Sequence, residues 1–195
     1  MAGVAVFVQE RADLGDGREQ LTAAEQQALA AARFGAARQR EWIAGRAAVH
    51  RALTMCLGPR AAGMSVINDP SGAPRILGHD DVAVSLSHDD GRVAVAVSTG
   101  TGRRAAVDLC GLARARRVAG ILGRLGVSSK GLHPCVTWAA LECALKLQHR
   151  SVWSLLDEPA TAREYDGVID VRFARGAATV NFELTSTYAI GWAAQ

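Results

Sequence analysis

The chain of 195 residues is long enough for one full-sized domain, or for two small ones fused into one body. Its hydrophobic fraction of 49% and charged fraction of 21% are those of an ordinary globular protein, and no apolar run reaches the roughly 18 to 20 residues needed to cross a bilayer. The net charge of +3 is mild, aromatic residues make up 5%, and no RNA-binding signature is present, which argues against nucleic-acid binding.

The N-terminus does not read as a secretory signal, because it has no basic segment and turns acidic by Glu10. No metal-ligand spacing joins the four cysteines Cys56, Cys110, Cys135 and Cys143, so we expect reduced and partly buried thiols. These features predict a cytoplasmic protein that binds no membrane.

Hydrophobic periodicity predicts helices interleaved with strands. We expect strands near 3–9, 82–87, 92–98, 105–109, 167–174, 177–184 and 187–194. We expect helices near 21–33, 37–57, 112–126 and 133–149. Asp89-Asp90-Gly91 is a tight-turn sequence and predicts a hairpin. The order of elements recurs loosely once, which predicts an α+β fold with two α/β halves, residues 1–101 and 102–195.

The helix near 133–149 is apolar on nearly every side, which is typical of a buried helix. One polar stripe interrupts it, formed by Glu142, Lys146 and His149. The stripe either faces solvent, as an exposed Glu–Lys pair of small energetic value, or lines a polar cleft.

Asp108 stands at or near the end of a strongly apolar strand. An aspartate there is costly unless it is paired, hydrogen-bonded or holding a metal. Together with Glu142 it could supply hard oxygen ligands to Mg²⁺, which typically takes one or two carboxylates plus waters and phosphate oxygens.

The stretch Ser85-Leu86-Ser87-His88 places hydroxyls and an imidazole beside the predicted hairpin turn. A hydrolase triad is excluded by the pattern, because Ser87 lacks the nucleophile elbow and neighbours along a strand do not form a nucleophile–base pair. Phosphate binding is the better use of these donors.

Five segments, in order, resemble the signature of 4′-phosphopantetheinyl transferases. They are the arginine-rich helix Arg38–Arg46, the turn Gly72-Ala73-Pro74, the hairpin Ser85–His88, the strand Ala106-Val107-Asp108-Leu109 and the helix Trp138–Lys146. The length is similar to that of the surfactin-type monomers, which are built of two pseudo-twofold-related halves.

The resemblance implies transfer of 4′-phosphopantetheine from coenzyme A to a serine of an acyl or peptidyl carrier protein, with Mg²⁺. The implied metal ligands are Asp108 and Glu142, with Glu142 also the general base and Lys146 the group that neutralises the diphosphate. The N-terminal half would hold the nucleotide of coenzyme A, and the residues implied there are Arg40, Arg46, Arg75, Ser87 and His88.

Three positions depart from the family pattern. Cys110 stands where surfactin-type members carry a third acidic ligand, Leu141 replaces a lysine and Ala73 replaces a basic residue. A catalytically silent relative that binds a carrier protein or (acyl-)coenzyme A is therefore the alternative function.

Overall fold

Residues 3–195 are described by a computed structural model, in which the chain divides after Ala105 into a first and a second unit. Both contain helices and antiparallel strand pairs, so the predicted α+β class is confirmed. None of the helices in residues 3–195 combines the length and the apolar character that crossing a membrane would require.

The first unit is built on a three-stranded antiparallel sheet in the order β1-β5-β4. Its strands are β1 (Val4–Glu10), β4 (Val82–Asp89) and β5 (Arg92–Thr99). Asp90 and Gly91 connect β4 to β5 with φ angles of 46° and 78°, the left-handed conformations that a tight two-residue hairpin turn requires. The predicted hairpin is confirmed.

Two helices belong to this unit, α1 (Ala23–Ala31) and α2 (Ala36–Leu57). Short 3-10 turns at Arg11–Leu14 and Arg18–Gln20 lead from β1 to α1. Helix α2 lies on β5 and β4, where a Cβ at Gly45 would meet the Leu86 side chain at 3.5 Å. The buried face of α2 is almost all alanine, valine and leucine, so the helix and sheet share one core.

A buried carboxylate ties the two helices to the rest of the first unit. Glu25 is 1% exposed and accepts hydrogen bonds from the Thr22 N–H (2.9 Å) and the Val66 N–H (2.8 Å), with His50 Nε2 2.7 Å away. Thr22 Oγ1 in turn accepts from the Glu25 N–H, which completes a capping box at the start of α1. Burial raises the pKa of Glu25, but these hydrogen bonds outweigh it and hold the pKa below its ordinary value.

The strands β2 (Val66–Asn68) and β3 (Pro74–Ile76) form a small hairpin that the sequence did not predict. Asp69 organises its turn, because Asp69 Oδ1 accepts from the Ser71 N–H at 2.8 Å and the Ala73 N–H at 3.0 Å. Three-residue strands are too short to show a hydrophobic period, which is why the pattern missed them.

The second unit contains a five-stranded sheet in the order β6-β10-β9-β8-β7. Its strands are β6 (Ala105–Gly111), β7 (Thr161–Tyr165), β8 (Val168–Phe173), β9 (Gly176–Leu184) and β10 (Tyr188–Ala194). Strand β7 was not predicted, although Asp166 and Gly167 form a left-handed turn after it, with φ angles of 52° and 77°. Charged residues in the strand obscure the hydrophobic period that would have predicted it. The Asp-Gly dipeptide after it is the sequence signal for the hairpin turn.

Two helices belong to the second unit, α3 (Ala115–Arg124) and α4 (Pro134–Leu147). Further 3-10 turns lie at Gly58–Ala61 in the first unit and at Leu112–Arg114 and Val152–Leu156 in the second. Helix α4 is buried among the strands of its sheet, as its apolar sequence predicts. It ends at Leu147, because His149 adopts a left-handed φ of 52°, so the predicted extension to His149 is wrong.

Helix α4 comes unusually close to strand β10. A Cβ built at Gly191 would stand 3.0 Å from both the carbonyl carbon and the carbonyl oxygen of Ala139, closer than a side chain tolerates. The Cys143 thiol, one turn along α4, donates to the Gly191 carbonyl oxygen at 3.1 Å. The absence of a side chain at Gly191 therefore sets the separation of helix and sheet.

Candidate functional site

Strand β6 carries an aspartate in an apolar setting. Asp108 is 7% exposed and has the buried residues Val107 and Leu109 on either side. It lies in the middle of β6 rather than at the end where the sequence placed it. Because a carboxylate in such a place needs a compensating group, its neighbours define the site.

Lys146, in the last turn of α4, provides the compensating charge. Its Nζ donates to Asp108 Oδ1 at 2.8 Å and to the Val107 carbonyl oxygen at 2.7 Å. Burial lowers the pKa of Lys146, but the Asp108 carboxylate outweighs that effect and raises it, so the ammonium is charged at neutral pH. The alternative of an exposed Glu142–Lys146 surface pair is therefore wrong, because Lys146 is committed to β6.

Glu142 lies one turn before Lys146 on the same helix and is half-buried. Burial is the main cause that raises its pKa to about 7, the negative charge of Asp108 adds to the increase, and Lys146 opposes it. Asp108, Glu142 and Lys146 thus form one electrostatically coupled group, which we call the acid–lysine cluster.

The acid–lysine cluster fits a divalent cation in its donor chemistry. Two carboxylates that repel each other would both be stabilised by a shared cation, and oxygen ligands suit Mg²⁺. Within residues 3–195 no group of three or more histidine, cysteine, aspartate or glutamate side chains is arranged so that it could hold a metal ion. A metal held here would therefore take two protein carboxylates and complete its shell with water or substrate oxygens.

Arg46 is predicted to bind a phosphate, but its side chain is buried and already has partners within the protein. It is 4% exposed, donates from Nη2 to Asn68 Oδ1 at 2.7 Å, and stacks with its guanidinium carbon 4.7 Å from the centre of the Trp42 ring. Burial lowers its pKa, and the charge of Glu25 opposes this. Its Nε is buried without a hydrogen-bond partner among the described residues, which leaves one donor for a ligand.

Ser87 and His88 both lie on β4 just before the turn, as the sequence predicts. Ser87 is half-buried and His88 is exposed. Because successive strand residues project to opposite faces, the hydroxyl and the imidazole do not point to one side of the sheet. The structure therefore does not gather these two side chains around a single point.

The other two arginines predicted to bind the nucleotide are both exposed. Arg75, on β3, donates from Nη2 to Asp80 Oδ1 at 2.7 Å. Arg40, near the start of α2, lines a pocket with Arg11 and Arg18, and Arg46 is not among the residues that line it. The side chains predicted to bind the nucleotide are thus spread over the first unit, whereas the three residues of the acid–lysine cluster lie close together.

Residues 24–98 match the family model of the 4′-phosphopantetheinyl transferase N-terminal domain. This match supports membership in the 4′-phosphopantetheinyl transferase superfamily. No curated protein matches the chain.

The structure shows what the departures from the transferase pattern mean physically. Leu141 is wholly buried in the core of the second unit, so a lysine there would have to enter apolar surroundings. Cys110 is 2% exposed and directs its thiol toward the Gly111 carbonyl oxygen at 3.9 Å. Ala73 lies in the β2–β3 turn, where its backbone N–H donates to Asp69 Oδ1 and its carbonyl oxygen accepts from the Asp69 N–H at 2.9 Å.

Sequence reasoning missed several partners of the site. The Val107 carbonyl, which accepts from Lys146, has no side-chain signature. Asn68, the partner of Arg46, sits in a strand too short to be predicted. Glu25 did carry a signal, because Thr22-Ala-Ala-Glu25 is a capping-box sequence.

Proposed function

We propose that this member of the transferase family moves 4′-phosphopantetheine from coenzyme A to a serine hydroxyl of an acyl or peptidyl carrier protein. The observation that carries the proposal is the acid–lysine cluster, in which a fixed ammonium and two carboxylates of coupled charge meet on β6 and α4. Such a cluster suits the transfer of a phosphoryl-type group, where catalysis consists mainly of positioning and charge neutralisation.

In this proposal Asp108 and Glu142 are the residues that would hold Mg²⁺. When bound, the cation would neutralise charge on the diphosphate oxygens. The family resemblance also implies a second role for Glu142, as the general base that accepts the proton of the attacking serine. Lys146, held cationic by Asp108, would offset charge on the phosphates.

The serine oxygen forms a bond to the phosphorus that carries the pantetheine, and the bond from that phosphorus to the bridging diphosphate oxygen breaks. The serine proton passes to Glu142, and adenosine 3′,5′-bisphosphate leaves with the electron pair of the broken bond. We assign the nucleotide end of coenzyme A to Arg40, Arg46, Arg75, Ser87 and His88, on the family resemblance and on the buried, unpartnered Nε of Arg46.

We also propose that the protein acts as a cytoplasmic monomer. All four cysteines are thiols, with Cys56 partly exposed and the other three buried, as the sequence predicts. A reducing compartment maintains cysteines in this state. The proposal that the protein is a monomer rests on its resemblance to the surfactin-type enzymes.

The test is intact-mass analysis of apo-carrier proteins incubated with coenzyme A, Mg²⁺ and the chain. We expect a mass gain of one phosphopantetheine group on at least one carrier, and a rate about 100-fold lower with Glu142→Gln, because general-base catalysis contributes 10²–10⁴-fold. Glu183→Gln, which removes an exposed carboxylate of β9, serves as the matched control and should leave the rate unchanged.

A second function has one observation in its favour. Lys146 already neutralises Asp108, so the cluster is partly stable without a divalent cation. A relative that binds a carrier protein or (acyl-)coenzyme A without transfer would retain this arrangement. No mass gain on any carrier, combined with measurable coenzyme A binding, would select this function over the transferase.

A further inference from the structure

Two buried thiols lie together at the end of strand β6. The thiol of Cys110, on β6, is directed toward the Gly111 carbonyl oxygen at 3.9 Å, and the thiol of Cys135, in the first turn of α4, donates to the same oxygen at 3.5 Å. The two residues are 2% and 0% exposed. Because both sulfurs are within 4 Å of one oxygen atom, the thiols are close in space although they belong to different elements of the second unit.

Each thiol lies on the side of its element that carries the acid–lysine cluster. Side chains alternate along a strand, so Cys110 shares a face of β6 with Asp108. Seven residues make nearly two full turns of an α-helix, so Cys135 shares a face of α4 with Glu142. The thiol pair and the acid–lysine cluster are therefore formed by the same faces of β6 and α4.

The position of Cys135 favours reaction with a small oxidant. The positive end of the helix dipole stabilises a thiolate in the first turn of a helix, and α4 begins at Pro134. The ends of helices also open locally at a lower free-energy cost than their interiors. A molecule as small as hydrogen peroxide therefore gains access to Cys135 through openings that exclude larger reagents.

The other two thiols are in different surroundings. Cys143 lies in the middle of α4, donates to the Gly191 carbonyl oxygen at 3.1 Å, and has its pKa raised by burial. Cys56 lies near the end of α2 in the first unit, and partial burial raises its pKa as well. Neither thiol lies in the first turn of a helix.

We propose that Cys110 and Cys135 form a redox-sensitive modification site, at which hydrogen peroxide converts the two thiols into a disulfide that joins β6 to α4. Peroxide first transfers one oxygen to the Cys135 thiolate, which becomes a sulfenic acid, and the other oxygen leaves as hydroxide. The Cys110 sulfur then attacks the Cys135 sulfur, the S–O bond breaks, and the hydroxyl leaves as water with the Cys110 proton. In total, two thiols and one peroxide give one disulfide and two waters.

The disulfide would restrain the second unit without using any step of the proposed transfer. It closes a loop of about 25 residues that contains α3, and such a closure stabilises a fold mainly by restricting the unfolded chain. It also ties β6 to the helix that carries Glu142 and Lys146. A reducing compartment keeps the pair as thiols, so the bond forms under peroxide and is reversed by thiol exchange.

The test is a disulfide map of the full chain after exposure to hydrogen peroxide, by digestion without reduction and mass spectrometry. We expect one linked pair of peptides, containing Cys110 and Cys135, that is lighter by two hydrogens than the separate peptides and is released by dithiothreitol. Cys135→Ser should abolish the link, and Cys143→Ser, the matched control on the same helix, should retain it. Circular dichroism checks that both variants are folded, and the map of the wild-type chain decides the matter if either is not.

The same exposure of the chain in urea shows which links form without the fold. Links from Cys110 or Cys135 to Cys56 or Cys143 in the folded protein overturn the proposal. It is also overturned if the folded protein forms no link at a peroxide concentration that cross-links the chain in urea.

Thermal unfolding gives a second measurement. The linked protein should unfold at a midpoint higher than that of the reduced protein by roughly 5 °C or more, and dithiothreitol should remove the difference. An unchanged or lower midpoint would show that the bond forms only by distorting β6 or α4, and would contradict the claim that the two thiols are already positioned to form it.

Discussion

The two units each contain a glutamate in partly or fully buried surroundings, and the two carboxyl groups behave in opposite ways. Glu25 accepts hydrogen bonds from two backbone N–H groups and lies against His50, and its pKa is lowered. Glu142 has burial and the charge of Asp108 acting on it, and its pKa is raised to about 7. Burial is common to both, so the hydrogen-bond partners decide whether a glutamate stabilises the fold or is available for chemistry.

The largest change in the free energy of unfolding should come from removing the hydrogen-bonded carboxylate of Glu25. Glu25→Ala leaves the Thr22 and Val66 N–H groups without their acceptor, and we expect a loss of about 3–5 kcal/mol in the free energy of unfolding. Urea denaturation at pH 7 measures it, with the exposed Glu19→Ala as control.

The same variant has a pH signature. Because the pKa of Glu25 is lowered in the folded state, its contribution is present above the ordinary value of 4.5 and is lost as the pH falls through the folded pKa. The deficit of Glu25→Ala should therefore shrink in acid. A loss of less than about 1 kcal/mol in the free energy of unfolding at pH 7 would contradict the claim that the hydrogen-bonded Glu25 carboxylate stabilises the fold.

A charge placed in the second unit without partners should also be costly. Leu141→Lys, which restores the family's residue, puts an ammonium into the core that surrounds Leu141. We expect a loss on the order of 3 kcal/mol, because an unpaired buried charge must be desolvated or neutralised. Leu156→Lys is the control, since Leu156 is 65% exposed. Near-equal stability of the two variants would mean that position 141 can reach a polar surface.

The smallest expected change in the free energy of unfolding concerns Glu142, the glutamate whose pKa is raised. The pKa of Glu142 rises from 4.5 to about 7 on folding, so the folded chain binds a proton more readily and stability falls as the pH rises between these values. Glu142→Gln mimics the neutral form, and we expect it to be more stable than wild type by about 2 kcal/mol at pH 8, reduced from the full value by partial exposure.

Thermal unfolding in the presence of a chelator, at pH 5 and at pH 8, measures this difference. At pH 5 the difference should be much smaller, because Glu142 is then protonated in the folded state and only its ionisation in the unfolded chain still separates the two proteins. A variant that is less stable than wild type at pH 8 would show that ionised Glu142 is well satisfied after all.

The sequence predicted those features that local pattern controls. The Asp90-Gly91 turn, the buried helix and the acid–lysine residues 108, 142 and 146 all follow from periodicity or motif. Short or charged strands such as β2 and β7 do not, because too few apolar residues mark them. The distribution of the nucleotide-binding candidates also escaped prediction, since Arg40 and Arg46 are close in sequence but point into different surroundings around α2.

Contacts made far from any reacting group also govern what Lys146 can do. The ammonium reaches β6 from a helix that packs directly on the backbone of β10, at the point where Gly191 has no side chain. A methyl group there would collide with the Ala139 backbone, and we expect the helix to shift and the distance from Lys146 Nζ to Asp108 to lengthen. The position of the Lys146 ammonium thus depends on a residue that has no side chain of its own.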